Sequence, residues 1–218
     1  MTREAPLEVG GLLYPGFEML DLFGPLEMFS LLGPEQVAIT TVAAQAAPTS
    51  AAVGSGPPCG PKVLADFDFA TAPRLDVLII PGGFGTFPAL EDAGLLDYLR
   101  RCATAGTVLA SVCTGSAILA KAGVLDGRRA TSNKQFFDLA RRQGAKVNWI
   151  EAARWVDEGQ FLTSSGVSAG MDMALALIAR FFDEATAASI SVSAEYTRHI
   201  DADTDPFIAY LNEGMAAL

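Results

Sequence analysis

The stretch Thr107-Val-Leu-Ala-Ser-Val-Cys-Thr-Gly-Ser-Ala-Ile-Leu-Ala-Lys-Ala122 joins two different apolar patterns through three residues. Thr107 to Val112 is short, apolar and rich in β-branched side chains, which predicts a buried parallel strand. Ser116 to Ala122 is apolar and Ala-rich, which predicts a buried helix. Only Cys113, Thr114 and Gly115 remain to reverse the chain. Cys113 is therefore expected at the carboxyl end of a strand, against a helix N-terminus, in the shape of a nucleophile elbow with Cys in place of Ser. Helix-end amides and the macrodipole favour an anion there, so a lowered thiol pKa is expected. The same position also suits a small core residue, the common fate of an isolated buried Cys.

Outward from this turn, strands and helices alternate. Val9 to Tyr14 reads as a first strand ending at Pro15-Gly16. Gly24-Pro25 reads as a helix start, Gly as N-cap and Pro at the first helical position, with Leu26, Phe29 and Leu32 at helical spacing until Gly33. Gln36 to Ala43 reads as a strand, Ala44 to Pro61 as a surface loop with ragged extended pieces, and Leu75 to Ile80 as a strand cut off by Pro81-Gly82-Gly83-Phe84-Gly85. Asp92 to Ala105 is expected to be helical. Short β pieces follow at Arg128–Ser132, Lys146–Trp149, Ala152–Val156 and Phe161–Ser164, with Asp157-Glu-Gly159 as a hairpin turn. Helices are expected over Lys134–Gln143, Ser168–Phe182, Glu184–Glu195 and near Pro206–Ala216. This order predicts an α/β, flavodoxin-like, mostly parallel sheet with helices on both faces, in one domain over residues 1–218. Ligands of such sheets collect at the carboxyl ends of strands. Three pieces fall there: the turn after Tyr14, the Gly82-Gly83 turn, and Cys113.

Composition narrows the partners. With 15 basic and 25 acidic residues the net charge is −10, which argues against the clustered Lys and Arg of a nucleic-acid footprint. Three cysteines, Cys59, Cys102 and Cys113, are no disulfide framework for 218 residues. The opening residues lack the apolar core of a signal peptide, and no run reaches the ~18 apolar residues of a membrane span, so a cytoplasmic protein without a membrane partner is expected. Half the residues are hydrophobic and the mean hydropathy is +0.31, an excess that burial against a second copy would relieve.

Individual residues point to a chemistry. Two glycines at Gly82-Gly83 let backbone amides approach a ligand, as an oxyanion site requires, although a Gly pair also makes an ordinary tight turn. Asp21 lies among Met19, Leu20, Leu22 and Phe23; a buried carboxyl near a cysteine would hold its proton more tightly and serve as an acid, whereas a cap for the following helix is the simpler role. Glu18 reads as part of a solvated turn and Glu27 as a water-facing helix residue. The single histidine, His199, sits in an acidic stretch far from any strand end and is expected to be an exposed loop residue. Cys59 reads as incidental and Cys102 as a helix residue in or near the core. No Cys/His cluster has metal spacing, and the Gly-rich turns match neither a P-loop nor a dinucleotide fingerprint.

Four segments together resemble the ThiJ/PfpI superfamily of the class I glutamine amidotransferase-like fold. They are Tyr14–Glu27, Asp76–Gly83, Ala110–Ser116 and Thr163–Asp172. Within it, Leu-Asp-Leu-Phe-Gly-Pro and Ser-Val-Cys-Thr-Gly-Ser are most similar to the isonitrile (isocyanide) hydratase branch and also resemble the sensor domains of some AraC-type regulators. The resemblance implies Cys113 as nucleophile, Asp21 as its acid/base partner, Thr114 beside the nucleophile, no cofactor or metal, a small-molecule substrate, and a homodimer. Thr114 stands where the peptidase-like branch has His, which argues against peptidase chemistry. Thr131-Ser-Asn-Lys-Gln135 departs from the Thr-Thr-His-Trp of the hydratases and marks a different substrate. Two other activities are implied: glyoxalase or deglycase action on methylglyoxal-type electrophiles, and a ligand- or redox-sensing module. The stretch from Ile200 to Leu218 is too short for the helix-turn-helix pair that the regulators carry.

Overall fold

The computed structural model describes residues 5–215. Its elements run β1 (Leu7–Leu12), α1 (Met19–Ser30), β2 (Val37–Ala43), β3 (Pro48–Ser50), β4 (Lys62–Leu64), β5 (Phe67–Asp68), β6 (Val77–Ile80), α2 (Thr86–Ala89) and α3 (Ala93–Thr104). They continue with β7 (Val108–Ser111), α4 (Gly115–Lys121), β8 (Arg129–Ala130), α5 (Phe137–Gln143), β9 (Asn148–Trp149), β10 (Trp155–Glu158), β11 (Phe161–Ser164), α6 (Ala169–Phe181) and α7 (Glu184–Ser193).

Seven strands form the main sheet in the order β10-β11-β7-β6-β1-β2-β5, parallel except for the β10–β11 hairpin. This is the mostly parallel, flavodoxin-like α/β arrangement that the alternation predicts. Central strands buried on both faces need no polar side, and all four residues of β6 are fully buried. Helices α1 and α6 pack on one another and against the sheet, and α6 carries α7; α3 and α4 pack together beside β7. Because β7, β6 and β1 are neighbours and parallel, the chain after each emerges at one edge. Tyr14, the Pro81–Gly83 turn and Cys113 therefore converge.

Two sequence expectations are corrected. Helix α1 begins at Met19, not at Gly24, and holds Pro25 in its interior. Proline there offers no N–H to the carbonyl four residues back, yet the turns on either side are fixed by burial of Leu22, Leu26 and Phe29. The extended pieces expected in the loop after Ala43 include β3, which pairs antiparallel with β4. The expected terminal helix is only a 3-10 turn, Ile208–Tyr210. Its neighbours spend their backbone on tertiary bonds instead: Asp205 N–H to Ala152, Asn212 N–H to Lys134 and Met215 N–H to Gln135. Ala216 lies outside the described residues.

Candidate functional site

Cys113 follows β7 and precedes α4 with φ +59°, left-handed backbone that a side chain rarely adopts. The surroundings hold it there. Its N–H donates to Ser165 O at 3.1 Å, and its carbonyl accepts from Ser116 Oγ and Ser132 Oγ, each at 3.2 Å. Gly115 must be glycine, since a Cβ would stand 2.4 Å from the Ile80 carbonyl oxygen. Val167, a β-branched residue, takes φ +41° just before α6. Two strained residues beside one sulfur are the signature of a site that the rest of the fold stabilises.

Hydrogen-bond donors surround the sulfur. Asn133 Nδ2 lies 3.0 Å from Cys113 Sγ, and the backbone amides of Thr114 and Val167 also reach it. The Asn133 amide is oriented by its other end, because Oδ1 accepts the Phe136 N–H at 3.0 Å. Neither Asn133 nor Val167 was singled out in the sequence. The signals in the sequence are the departure of Thr131–Gln135 from the hydratase pattern, which holds Asn133, and the resembling segment Thr163–Asp172, which holds Val167.

Asp21 is fully buried on α1, and its Oδ2 accepts the Gly82 N–H at 2.9 Å. Its Oδ1 has no hydrogen-bond partner among the described residues. Burial pushes the carboxyl up to about 7, against the pull of the Gly82 bond; the Glu18 charge raises it further and the Cys113 thiol lowers it. The Cys113 thiol is itself pushed well up, first by burial and then by the Asp21 charge, with the surrounding donors opposing. The expected lowering of its pKa is thus reversed: desolvation and a neighbouring carboxylate outweigh the helix end. Asp21 ionises first, and the thiol needs a base to give up its proton.

The expected amide donors are partly committed. Gly82 gives its N–H to Asp21, and Gly83 gives its N–H to Thr114 Oγ1 at 3.1 Å. Thr114 Oγ1 shares a 2.9 Å hydrogen bond with Thr86 Oγ1, and Tyr14 Oη donates to Pro81 O at 2.7 Å. Gly82 is needed for close approach, since a Cβ would lie 2.5 Å from Thr114 N. The two glycines therefore brace Asp21 and Thr114 against the cysteine turn. The donors left around the sulfur are Thr114, Val167 and Asn133.

A cavity of about 250 Å³ opens against Cys113, lined among others by Glu18, Phe84, Phe87, Asn133 and Phe136. Glu18 is half-buried there and not simply a solvated turn residue. Glu27 and His199 are exposed, and His199 is not among the cavity's lining residues. Cys59 is exposed and Cys102 buried. Outside the cavity lining, Arg154 pairs with Asp172 at 2.7 Å and Asp205 at 3.5 Å, all three buried. Among the described residues no group of three or more His, Cys, Asp or Glu could hold a metal ion, and no helix is long and apolar enough to cross a membrane.

A parallel α/β sheet presenting a strained cysteine at a strand-to-helix turn, with a buried carboxyl beside it, defines a recognisable class of cysteine proteins. The chain belongs to the DJ-1/PfpI family, which it matches over residues 9–180. It is similar to isonitrile hydratase of Pseudomonas putida, with 34% identity over 190 residues, 87% of this chain and 78% of that protein. A deglycase of Pyrococcus horikoshii is 33% identical over 103 residues, 47% of this chain and 60% of the deglycase. Among solved structures, a THiJ/PfpI family protein from Pseudomonas syringae superposes with a TM-score of 0.77 at 31% identity, covering 94% of this chain and 84% of that one.

Proposed function

We propose that this chain is a cysteine-dependent, isonitrile hydratase-like lyase that adds water to R–N≡C to give R–NH–CHO. The observation that carries the reading is the buried Asp21–Cys113 pair, in which the carboxyl titrates near 7 and the thiol well above its usual range. Similarity to isonitrile hydratase over 87% of the chain favours this chemistry over that of the deglycase, matched over 47%.

In the scheme, the Asp21 carboxylate takes the thiol proton as Sγ attacks the terminal carbon, forming the S–C bond. The same proton then goes to that carbon, giving the thioimidate R–N=CH–S–Cys113. Water adds to this carbon, losing one proton through Asp21 to the nitrogen, and R–NH–CH(OH)–S–Cys113 results. Loss of the hydroxyl proton to Asp21 forms the carbonyl, the C–S bond breaks with its pair to sulfur, and Asp21 returns the proton. The amides of Thr114 and Val167 and the Asn133 side chain stabilise sulfur whenever it carries charge. The scheme requires no metal or cofactor.

The test is phenyl isocyanide supplied to the pure protein, with N-phenylformamide followed by chromatography. Turnover in the wild type that is lost in Cys113→Ala supports the reading; no turnover, or turnover that survives Cys113→Ala, overturns it. Methylglyoxal consumption with lactate release, in a preparation inert to isocyanides, would favour glyoxalase or deglycase activity instead. A sulfenic or sulfinic acid at Cys113, in a protein inert to both substrates, would mark a sensor. We further propose a homodimer built on α1, whose Leu20 and Phe23 are 42% and 40% exposed. Sedimentation at micromolar concentration checks this: a mass near 22.8 kDa rather than twice that would end it.

A further inference from the structure

The cavity against Cys113 is built of two unlike sides. One is aromatic. The Phe84 and Phe136 rings meet edge to face, centroids 5.9 Å apart at 80°, and Phe84 and Phe87 lie nearly parallel at 6.5 Å and 19°. Phe87 is 38% exposed and the other two rings are half-buried, so ring surface is open to an occupant. The other side holds Cys113, Thr114 and Asn133. Among the described residues, Glu18 is the one charged residue in the lining, and no Lys or Arg accompanies it. An anionic substrate would therefore meet only like charge, from Glu18 and from Asp21 behind it. A neutral molecule with a flat apolar end and a short electrophilic end matches both sides. Size agrees, since an apolar cavity of about 150 Å³ accepts benzene, and about 250 Å³ leaves room for a reactive head.

The two sides are also mechanically joined. Phe136 N–H is held by the same Asn133 side chain whose Nδ2 bonds Cys113 Sγ. Asn133 lies within Thr131–Gln135, which departs from the hydratase pattern, and Phe136 follows that stretch directly. A donor to sulfur and one ring of the aromatic wall are thus three residues apart on one piece of chain.

We propose that Phe84, Phe87 and Phe136 form an aryl-selective subsite, so that the substrate class is neutral aryl electrophiles, aryl isocyanides before short alkyl ones. The inference rests on Cys113 as the reacting atom in the proposed function. It is tested by two readouts that fail separately. The first compares kcat/KM for phenyl and methyl isocyanide in the wild type, Phe136→Ala and Phe136→Leu. The second compares labelling of the Cys113 peptide by N-phenylmaleimide and N-methylmaleimide, each rate divided by that of a free thiol in solution. One or two ring contacts correspond to a phenyl preference of roughly tenfold, about 1.4 kcal/mol. That preference should appear in both readouts, fall most of the way to unity in Phe136→Ala, and be partly retained in Phe136→Leu. If no isocyanide is hydrated but the maleimide preference and its loss are seen, the hydratase reading fails and the aryl subsite stands. A corrected maleimide ratio near one in the wild type, or one that Phe136→Ala leaves unchanged, overturns the subsite whatever the isocyanides do.

Discussion

Replacing Asp21 with Asn separates the chemistry of the site from its cost to the fold. The buried carboxyl titrates near 7 in place of its ordinary 3.8. Because the folded value is the higher one, the fold is fully stable with respect to this group below 3.8 and loses stability as pH rises toward 7. Above pH 8 the loss levels off at about 4 kcal/mol, whereas at pH 4 it is below about 1 kcal/mol. Asparagine has the same shape, can accept the Gly82 N–H through its own oxygen, and carries no charge at any pH. The stability of Asp21→Asn relative to wild type should therefore climb by about 3–4 kcal/mol between pH 4 and pH 9. Any constant cost of the new amide cancels in that difference. Urea unfolding of both proteins at pH 4, 6, 7.5 and 9 measures it. A gap that stays constant across the series would refute the claim that Asp21 is a buried, proton-holding carboxyl.

Other outcomes follow from the same geometry. Enzyme-dependent kcat/KM for the isocyanide should fall about tenfold per pH step below about 7, because the base is the ionised form of Asp21; a profile flat from pH 5 to 8 excludes that role. Cys113→Gly should be more stable than Cys113→Ala by about 1 kcal/mol, since φ +59° strains alanine and not glycine; equal urea midpoints would deny the strain. Asn133→Ala removes a donor 3.0 Å from sulfur and should slow iodoacetamide labelling of Cys113 at fixed pH by roughly tenfold, with Asn133→Asp slower still; unchanged rates would show that the amide does not act on the thiol.

Much of the arrangement is legible in the sequence. The Cys113 turn could be read because two apolar patterns of different period are separated by only three residues, and no longer loop was available. The convergence of Tyr14, Gly82-Gly83 and Cys113 followed from parallel strands alone. What escaped depends on tertiary contact. The direction of the Cys113 shift turns on how deeply the sulfur is buried and how near Asp21 comes, and neither is written in the local sequence. Gly24-Pro25 suggested a helix start because proline favours a first turn, yet α1 extends back through Asp21 on the strength of its buried face. Val167 escaped because a β-branched residue is the last expected in left-handed backbone. Arg154, Asp172 and Asp205 are scattered over 51 positions, and only the fold brings them together.

The central claim is that the Cys113 sulfur bonds to the isocyanide carbon. Its most direct test is rapid acid quenching of wild type turning over phenyl isocyanide, followed by peptide mass spectrometry. A transient adduct of one isocyanide is expected on the peptide containing Cys113, absent from Cys59 and Cys102 and decaying as N-phenylformamide accumulates. Formamide produced at the wild-type rate with no adduct at Cys113, or by the Cys113→Ala variant, would contradict it.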